Sequence, residues 1–140
     1  MFYVWQGKSM NIFISYSRSR DEKLAKDLAA HLQDAGHHVW YSGGGIFPGE
    51  NPGQKAGRAL EKSDAMLVLV SPDSMRSSWV RQEIDYALGT ARFAGRVVPI
   101  IVKPTKEAPW IFKKFPTVSG VRQPREVAQR VLKHLQQAGS

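Results

Sequence analysis

Cysteine is absent from the 140-residue chain, which removes disulfides, thiolate metal sites and a cysteine nucleophile together. No apolar run approaches the ~20 residues of a membrane-spanning helix. The opening Met1-Phe2-Tyr3-Val4-Trp5-Gln6-Gly7 lacks the basic start and the length of a secretory signal. Internal repeats and low-complexity tracts are missing too. With 42% hydrophobic and 23% charged residues, a disordered chain, a collagen and a coiled coil are excluded. The expectation is one cytoplasmic domain with a real core and no membrane contact. Acidic residues are scarce at one end: from 103 to 140 there are eight basic side chains and two acidic ones, so most of the net charge of +8 lies there. A basic face of this kind attracts nucleic acid, anionic lipid or an anionic small molecule, or simply keeps the surface solvated. Nucleic acid is disfavoured as a partner, because interleaved surface aromatics and a recognised motif are lacking.

Four short apolar runs are present: Ile12–Ile14, Val39–Tyr41, Met66–Val70 and Val97–Val102. The last two are continuous and rich in Val and Ile, as strands buried on both faces are. Helical spacing lies between them. Leu24, Leu28 and Leu32 precede Gly36, Trp79, Ile84, Ala87 and Leu88 precede Gly89, and Val127, Val131, Leu132 and Leu135 follow Pro124. Alternating strands and helices predict a parallel sheet between helical layers. Trp110, Phe112 and Phe115 are expected to pack, and residues 116–120 to form a short fifth edge strand. In such a sheet ligands bind beyond the strand C-termini, which points to loops 15–20, 42–53 and 71–78.

Each loop carries chemistry. Residues 15–20 read Ser-Tyr-Ser-Arg-Ser-Arg ahead of a helix, which suits an anion or a capped helix with exposed arginines. Residues 42–53 hold five glycines, yet neither Gly-Lys-Ser/Thr nor G-x-G-x-x-G follows the relevant strands, so P-loop and dinucleotide-dehydrogenase readings fail. The first loop has no cluster of aspartates, which removes a phospho-acceptor domain. Trp79 and Glu83 stand four apart, on one helix face. An aromatic plane beside a carboxylate suits a flat heterocycle joined to a sugar, the ring stacking and the carboxylate stabilising an oxocarbenium-like centre. The same spacing fits a core Trp with Glu83 paired to Arg81 or Arg92. His31, His37, His38 and His134 lack metal-ligand spacing, and no metal is expected.

Together these segments resemble a TIR (Toll/interleukin-1 receptor) domain of the bacterial, NAD+-cleaving type. Phe13-Ile14-Ser15-Tyr16-Ser17 matches its first box and Ile46-Phe47-Pro48-Gly49-Glu50 its BB loop. Further matches are Leu67–Pro72, Ser78–Ile84 and Val98-Pro99-Ile100. The BB loop departs from the family pattern at Ser42, Gly43–Gly45 and Pro52. The resemblance implies a flavodoxin-like three-layer α/β sandwich with five parallel strands over residues 10–138, with residues 1–9 as an extension outside it. It implies cleavage of the nicotinamide–ribose bond of NAD+ to nicotinamide plus ADP-ribose or a cyclic isomer, in bacterial antiphage defence signalling. Glu83 would be catalytic, and Tyr16, Ser17, Arg18, Ile46, Phe47, Gly49, Ser71 and Trp79 would bind substrate. No cofactor beyond the substrate NAD+ is implied, and TIR–TIR self-association is. The alternative is a non-catalytic TIR–TIR docking module.

Overall fold

The computed structural model describes residues 4–41 and 52–138, the side chains of 52 and 53 excepted. Four strands, β1 (Asn11–Ser15), β2 (His38–Tyr41), β3 (Ala65–Val70) and β4 (Val97–Ile101), lie parallel in the order β2-β1-β3-β4. Five α-helices connect and flank them: α1 (Glu22–Asp34), α2 (Pro52–Lys62), α3 (Pro72–Arg76), α4 (Ser78–Leu88) and α5 (Pro124–Ala138). The chain leaves β1 for β2 on one side, then crosses back to β3 and β4 on the other. The winding therefore reverses between β1 and β3, and in sheets of this kind ligands bind beyond the strand C-termini at such a reversal.

Residue alternation divides the core in two. Ile12, Ile14, Leu67, Leu69, Val98 and Ile100 face Leu28, Leu32, Val131 and Leu135 of α1 and α5. Phe13, Met66, Val68 and Val70 face Leu60 of α2 and Val80, Ile84 and Ala87 of α4. All of β3 is buried, which accounts for its uninterrupted apolar run. α1 buries Ala25, Leu28, Ala29 and Leu32, and ends where Gly36, at φ +100°, takes the left-handed conformation that stops a helix.

Among the described residues the sheet has four strands rather than the expected five. In the expected fifth strand only Val118 pairs, donating its N–H to Pro99 O (2.9 Å) and accepting from Ile101 N–H (2.8 Å). Pro116 has no N–H to offer the ladder. The Thr117 hydroxyl turns back to Phe115 O, and Gly120, at φ +73°, bends the chain away. Phe112 is buried and Phe115 half-buried as expected, but Trp110 is 71% exposed.

The segment expected to lie outside the domain touches it. The half-buried Trp5 packs on the α1/α5 core and meets His37 edge-on, with ring centroids 4.4 Å apart. Gln6 N–H donates to the Gln136 side chain at 2.7 Å. His37 is buried, and its Nδ1 accepts from Met10 N–H, a structural role that burial supports by lowering its pKa. Removing residues 1–9 should therefore cost about 1–2 kcal/mol, the value of a partly buried aromatic. Urea unfolding reads this directly, and an unshifted midpoint would show that Trp5 contributes nothing.

Candidate active site

The site forms where β1 and β3 end. β1 runs from apolar Ile12, Phe13 and Ile14 into buried Ser15, Tyr16 and Ser17. Ser17 O then accepts the N–H groups of Arg20 (3.3 Å) and Asp21 (2.9 Å), closing a turn with Arg18, Ser19 and Arg20 exposed along it. The Ser17 and Ser19 hydroxyls lie 3.1 Å apart. Arg20 pairs with Asp73 of α3 at 3.2 Å on the surface, where such a pair contributes little. Arg18 is the arginine whose charge reaches Glu83.

At the end of β3, Ser71 caps α3: its hydroxyl accepts Ser74 N–H at 3.1 Å, and Ser74 Oγ accepts Ser71 N–H at 2.9 Å. The Ser71 hydroxyl also donates to Asp21 Oδ2 at 3.2 Å. Asp21 is buried, which raises its pKa, and the Ser71 bond opposes the rise. The β1–α1 and β3–α3 loops are thus joined by one buried bond and one surface ion pair. Ser71→Ala removes a cap and leaves Asp21 without that donor, at a cost of about 1–3 kcal/mol. The cost should be larger at a pH where Asp21 is ionised than at one low enough to protonate it. Equal losses at both pH values would sever the cap from Asp21.

α4 supplies the central group. Ser77 caps it through Val80 N–H at 3.2 Å, and its inward stripe is Val80, Glu83, Ile84 and Ala87. Glu83 is thus a carboxylate on an otherwise apolar face, 6% exposed, and such a burial is costly without partners. It has them: the Ser15 hydroxyl donates to Oε1 at 2.6 Å, and the Trp79 side chain also hydrogen-bonds the carboxylate. Burial pushes its pKa up to about 7, against the opposing pull of Ser15, Trp79 and Arg18. Arg81 and Arg92, the salt-bridge partners a structural Glu83 would use, are engaged elsewhere. Arg81 donates to the carbonyls of Met75 and Glu107, and Arg92 to those of Ser63 and Leu60. Trp79 is 40% exposed and so is not core. With Gln82, Glu83 and Tyr86 it faces Ala56, Gly57 and Leu60 of α2 across an open cleft of about 250 Å³.

The structure therefore gathers Trp79, Glu83 and the charge of Arg18 at one place, with Tyr16, Ser17 and Ser71 on the adjoining strand ends. Ile46, Phe47 and Gly49 lie outside the described residues. Reading the sequence took Ser15 only as part of the 15–20 loop, not as a partner of Glu83, and did not single out Gln82 and Tyr86 for the site. The signal for Ser15 was the first hydroxyl after an apolar strand, and for the lining residues the helical spacing from Glu83. Among the described residues no group of three or more His, Asp or Glu side chains could hold a metal ion. No described helix is long and apolar enough to cross a membrane.

The four-stranded parallel sheet between helical layers is a doubly wound α/β sandwich, and a family model for the TIR domain matches residues 12–136. The chain belongs to that family. Three curated relatives share its similarity. The 2' cyclic ADP-D-ribose synthase BtTIR of Bacteroides thetaiotaomicron is 26% identical over 101 residues, 71% of this chain and 35% of that protein. The probable 2' cyclic ADP-D-ribose synthase TcpO of Methanobrevibacter olleyae is 27% identical over 94 residues, 67% and 28% of the two. The 2' cyclic ADP-D-ribose synthase AbTIR of Acinetobacter baumannii is 31% identical over 75 residues, 54% and 28%. The chain thus spans about a third of the length of the curated relatives it matches. Two solved structures share the fold at 19% identity. The TIR domain of the Toll-related receptor TRR-2 from Hydra magnipapillata superposes with a TM-score of 0.63 over 78% of this chain and 84% of its own. A TIR-STING receptor from C. gigas does so with 0.69 over 92% and 42%.

Proposed function

We propose that this chain cleaves NAD+ at the nicotinamide–ribose bond and that Glu83 is its catalytic carboxylate. The observation that carries the reading is a buried glutamate, bonded by Ser15 and Trp79 rather than by an arginine, facing an open cleft with an aromatic wall. The names of the three relatives support it and favour a cyclised product over a linear one. Nicotinamide would stack at Trp79, Glu83 would accept a ribose hydroxyl, and Arg18 would face phosphate. Tyr16, Ser17 and Ser71 would shape the strand-end floor, and Ile46, Phe47 and Gly49 would come from the loop before α2.

As the C1′–N bond breaks, its electron pair leaves with the ring nitrogen and neutralises the pyridinium. Positive charge passes to the ribose, where the Glu83 carboxylate opposes it. A ribose hydroxyl of the same molecule then attacks C1′ and releases a proton, giving a cyclic ADP-ribose isomer; water in its place gives ADP-ribose. The reaction needs no cofactor besides its substrate. Self-association, a cytoplasmic site of action and a part in antiphage defence belong to the same proposal. A docking module without chemistry has no use for the cost of a carboxylate buried beside an open cleft.

Chromatography of NAD+ incubated with concentrated protein should show nicotinamide and an equimolar ADP-ribose isomer. Folded, concentrated protein releasing no more nicotinamide than its Glu83→Gln variant would reject the reading.

A further inference from the structure

Ser15 is 1% exposed at the end of β1, and the three residues before it, Ile12, Phe13 and Ile14, are apolar and buried. A buried hydroxyl and a buried carboxylate each carry a penalty if unpaired. Here they meet at 2.6 Å, 68 residues apart in sequence. The pairing follows from the fold: β1 lies next to β3, and α4 packs over both with Glu83 on its inward stripe.

We infer that Ser15 is a positioning residue for the reacting glutamate: its hydroxyl, donated to Oε1, holds the Glu83 side chain in one orientation beneath the cleft and favours its ionised form. The inference rests on Glu83 being the reacting carboxylate. A neutral carboxylic acid would offer the hydroxyl an ordinary hydrogen bond, whereas a carboxylate offers a charge-assisted one, which is about twice as strong. The bond therefore biases the group toward the charged form that cleavage requires. Among the described residues, the other groups around the cleft are these. The β1–α1 turn contributes the Arg18 charge, and α4 contributes the Trp79 bond, Gln82 and the Tyr86 phenol. α2 presents uncharged Ala56, Gly57 and Leu60 to the cleft. Arg81 and Arg92 are held by backbone carbonyls.

The test is Ser15→Ala in the full chain, followed by ¹³C NMR titration of the glutamate carboxyls, with the Glu83 signal identified by its loss in Glu83→Gln. The Glu83 midpoint should rise by about one to two pH units in Ser15→Ala and return toward the wild-type value in Ser15→Thr, which keeps the hydroxyl. The acid limb of nicotinamide release should move up by the same amount. At a pH well above that limb, turnover should fall by less than about tenfold with KM for NAD+ nearly unchanged. A structural contribution alone would lower activity by one factor at every pH. An unmoved midpoint in Ser15→Ala, or a pH-independent loss, overturns the inference. Wild-type protein that releases no nicotinamide overturns the NAD+ reading instead, and the NMR midpoint then decides the Ser15–Glu83 link by itself.

Discussion

Glu83→Gln should give a protein that cleaves no measurable NAD+ and yet melts higher than wild type at pH 8. The two outcomes share one cause. Glutamine keeps the volume of glutamate and an oxygen for the Ser15 hydroxyl, so isostery by itself leaves stability unchanged. Burial adds a second effect. The Glu83 carboxyl titrates near its ordinary 4.5 in the unfolded chain and at about 7 in the folded one. A carboxyl raised in this way stabilises the fold below pH 4.5, where it is protonated in both states. That contribution is lost as pH climbs through 7, because the unfolded chain ionises first. The loss amounts to about 3 kcal/mol by pH 8, and glutamine does not incur it. Melting at pH 8 should therefore rise on the order of 10 °C, while at pH 5 the gap should shrink to about 1 kcal/mol or less.

Activity moves the other way. Without the carboxylate, charge developing on the ribose goes unopposed, and a loss of ~100-fold or more follows. In wild type the rate of nicotinamide release should fall as pH drops through about 7, because Glu83 takes up its proton there. Differential scanning calorimetry at pH 5 and pH 8, beside the NAD+ assay, checks both halves. A melting difference that ignores pH would show that Glu83 is not held against its ionisation. Comparable turnover in both proteins would remove it from the chemistry.

β3 and β4 were legible because burial on both faces leaves a continuous apolar run, which β3 shows at every position. α1 and α5 were legible from the spacing of the residues they bury, whereas α4 was read from Trp79, Ile84, Ala87 and Leu88, of which Trp79 and Leu88 are exposed. Glu83 could be singled out by its distance from Trp79, since four residues on a helix place two side chains together whatever the fold. Its partners could not. Whether Glu83 meets Arg81, Arg92, Arg18 or Ser15 depends on how α4 crosses the sheet, and local spacing favoured the nearby arginines that in fact bind carbonyls. α3 escaped notice because it is a five-residue helix defined by the Ser71–Ser74 capping box rather than by any apolar period. The fifth strand was overread because Val118 has the right character, while Pro116 and Gly120 on either side limit pairing to one residue. Trp110 was expected to pack from residue type, but its short 3-10 turn (Trp110–Lys114) buries Phe112 instead and leaves Trp110 exposed beside Lys114.

Trp79→Ala should cut kcat/KM for NAD+ far more than it cuts stability. A fully buried Trp replaced by Ala costs roughly 3–5 kcal/mol. Trp79 sits in the first turn of α4 with 40% of its surface exposed, and about 1–2 kcal/mol is the proportionate loss. Its functional loss has two parts. The indole plane forms one wall of the cleft, and an aromatic–base stack of this kind is worth about 1–3 kcal/mol, or roughly ten- to a hundredfold in kcat/KM. The side chain also hydrogen-bonds Glu83 and lowers its pKa, so removing it should move the acid limb of the rate profile upward. Trp79→Phe separates the two. Phenylalanine keeps a flat ring and lacks a donor, so KM should stay near wild type while the acid limb shifts as it does in the alanine variant. If Trp79→Ala instead unfolds the protein by several kcal/mol, and Trp79→Phe restores stability with no change in the pH profile, then Trp79 is a packing residue and the cleft has lost its aromatic wall.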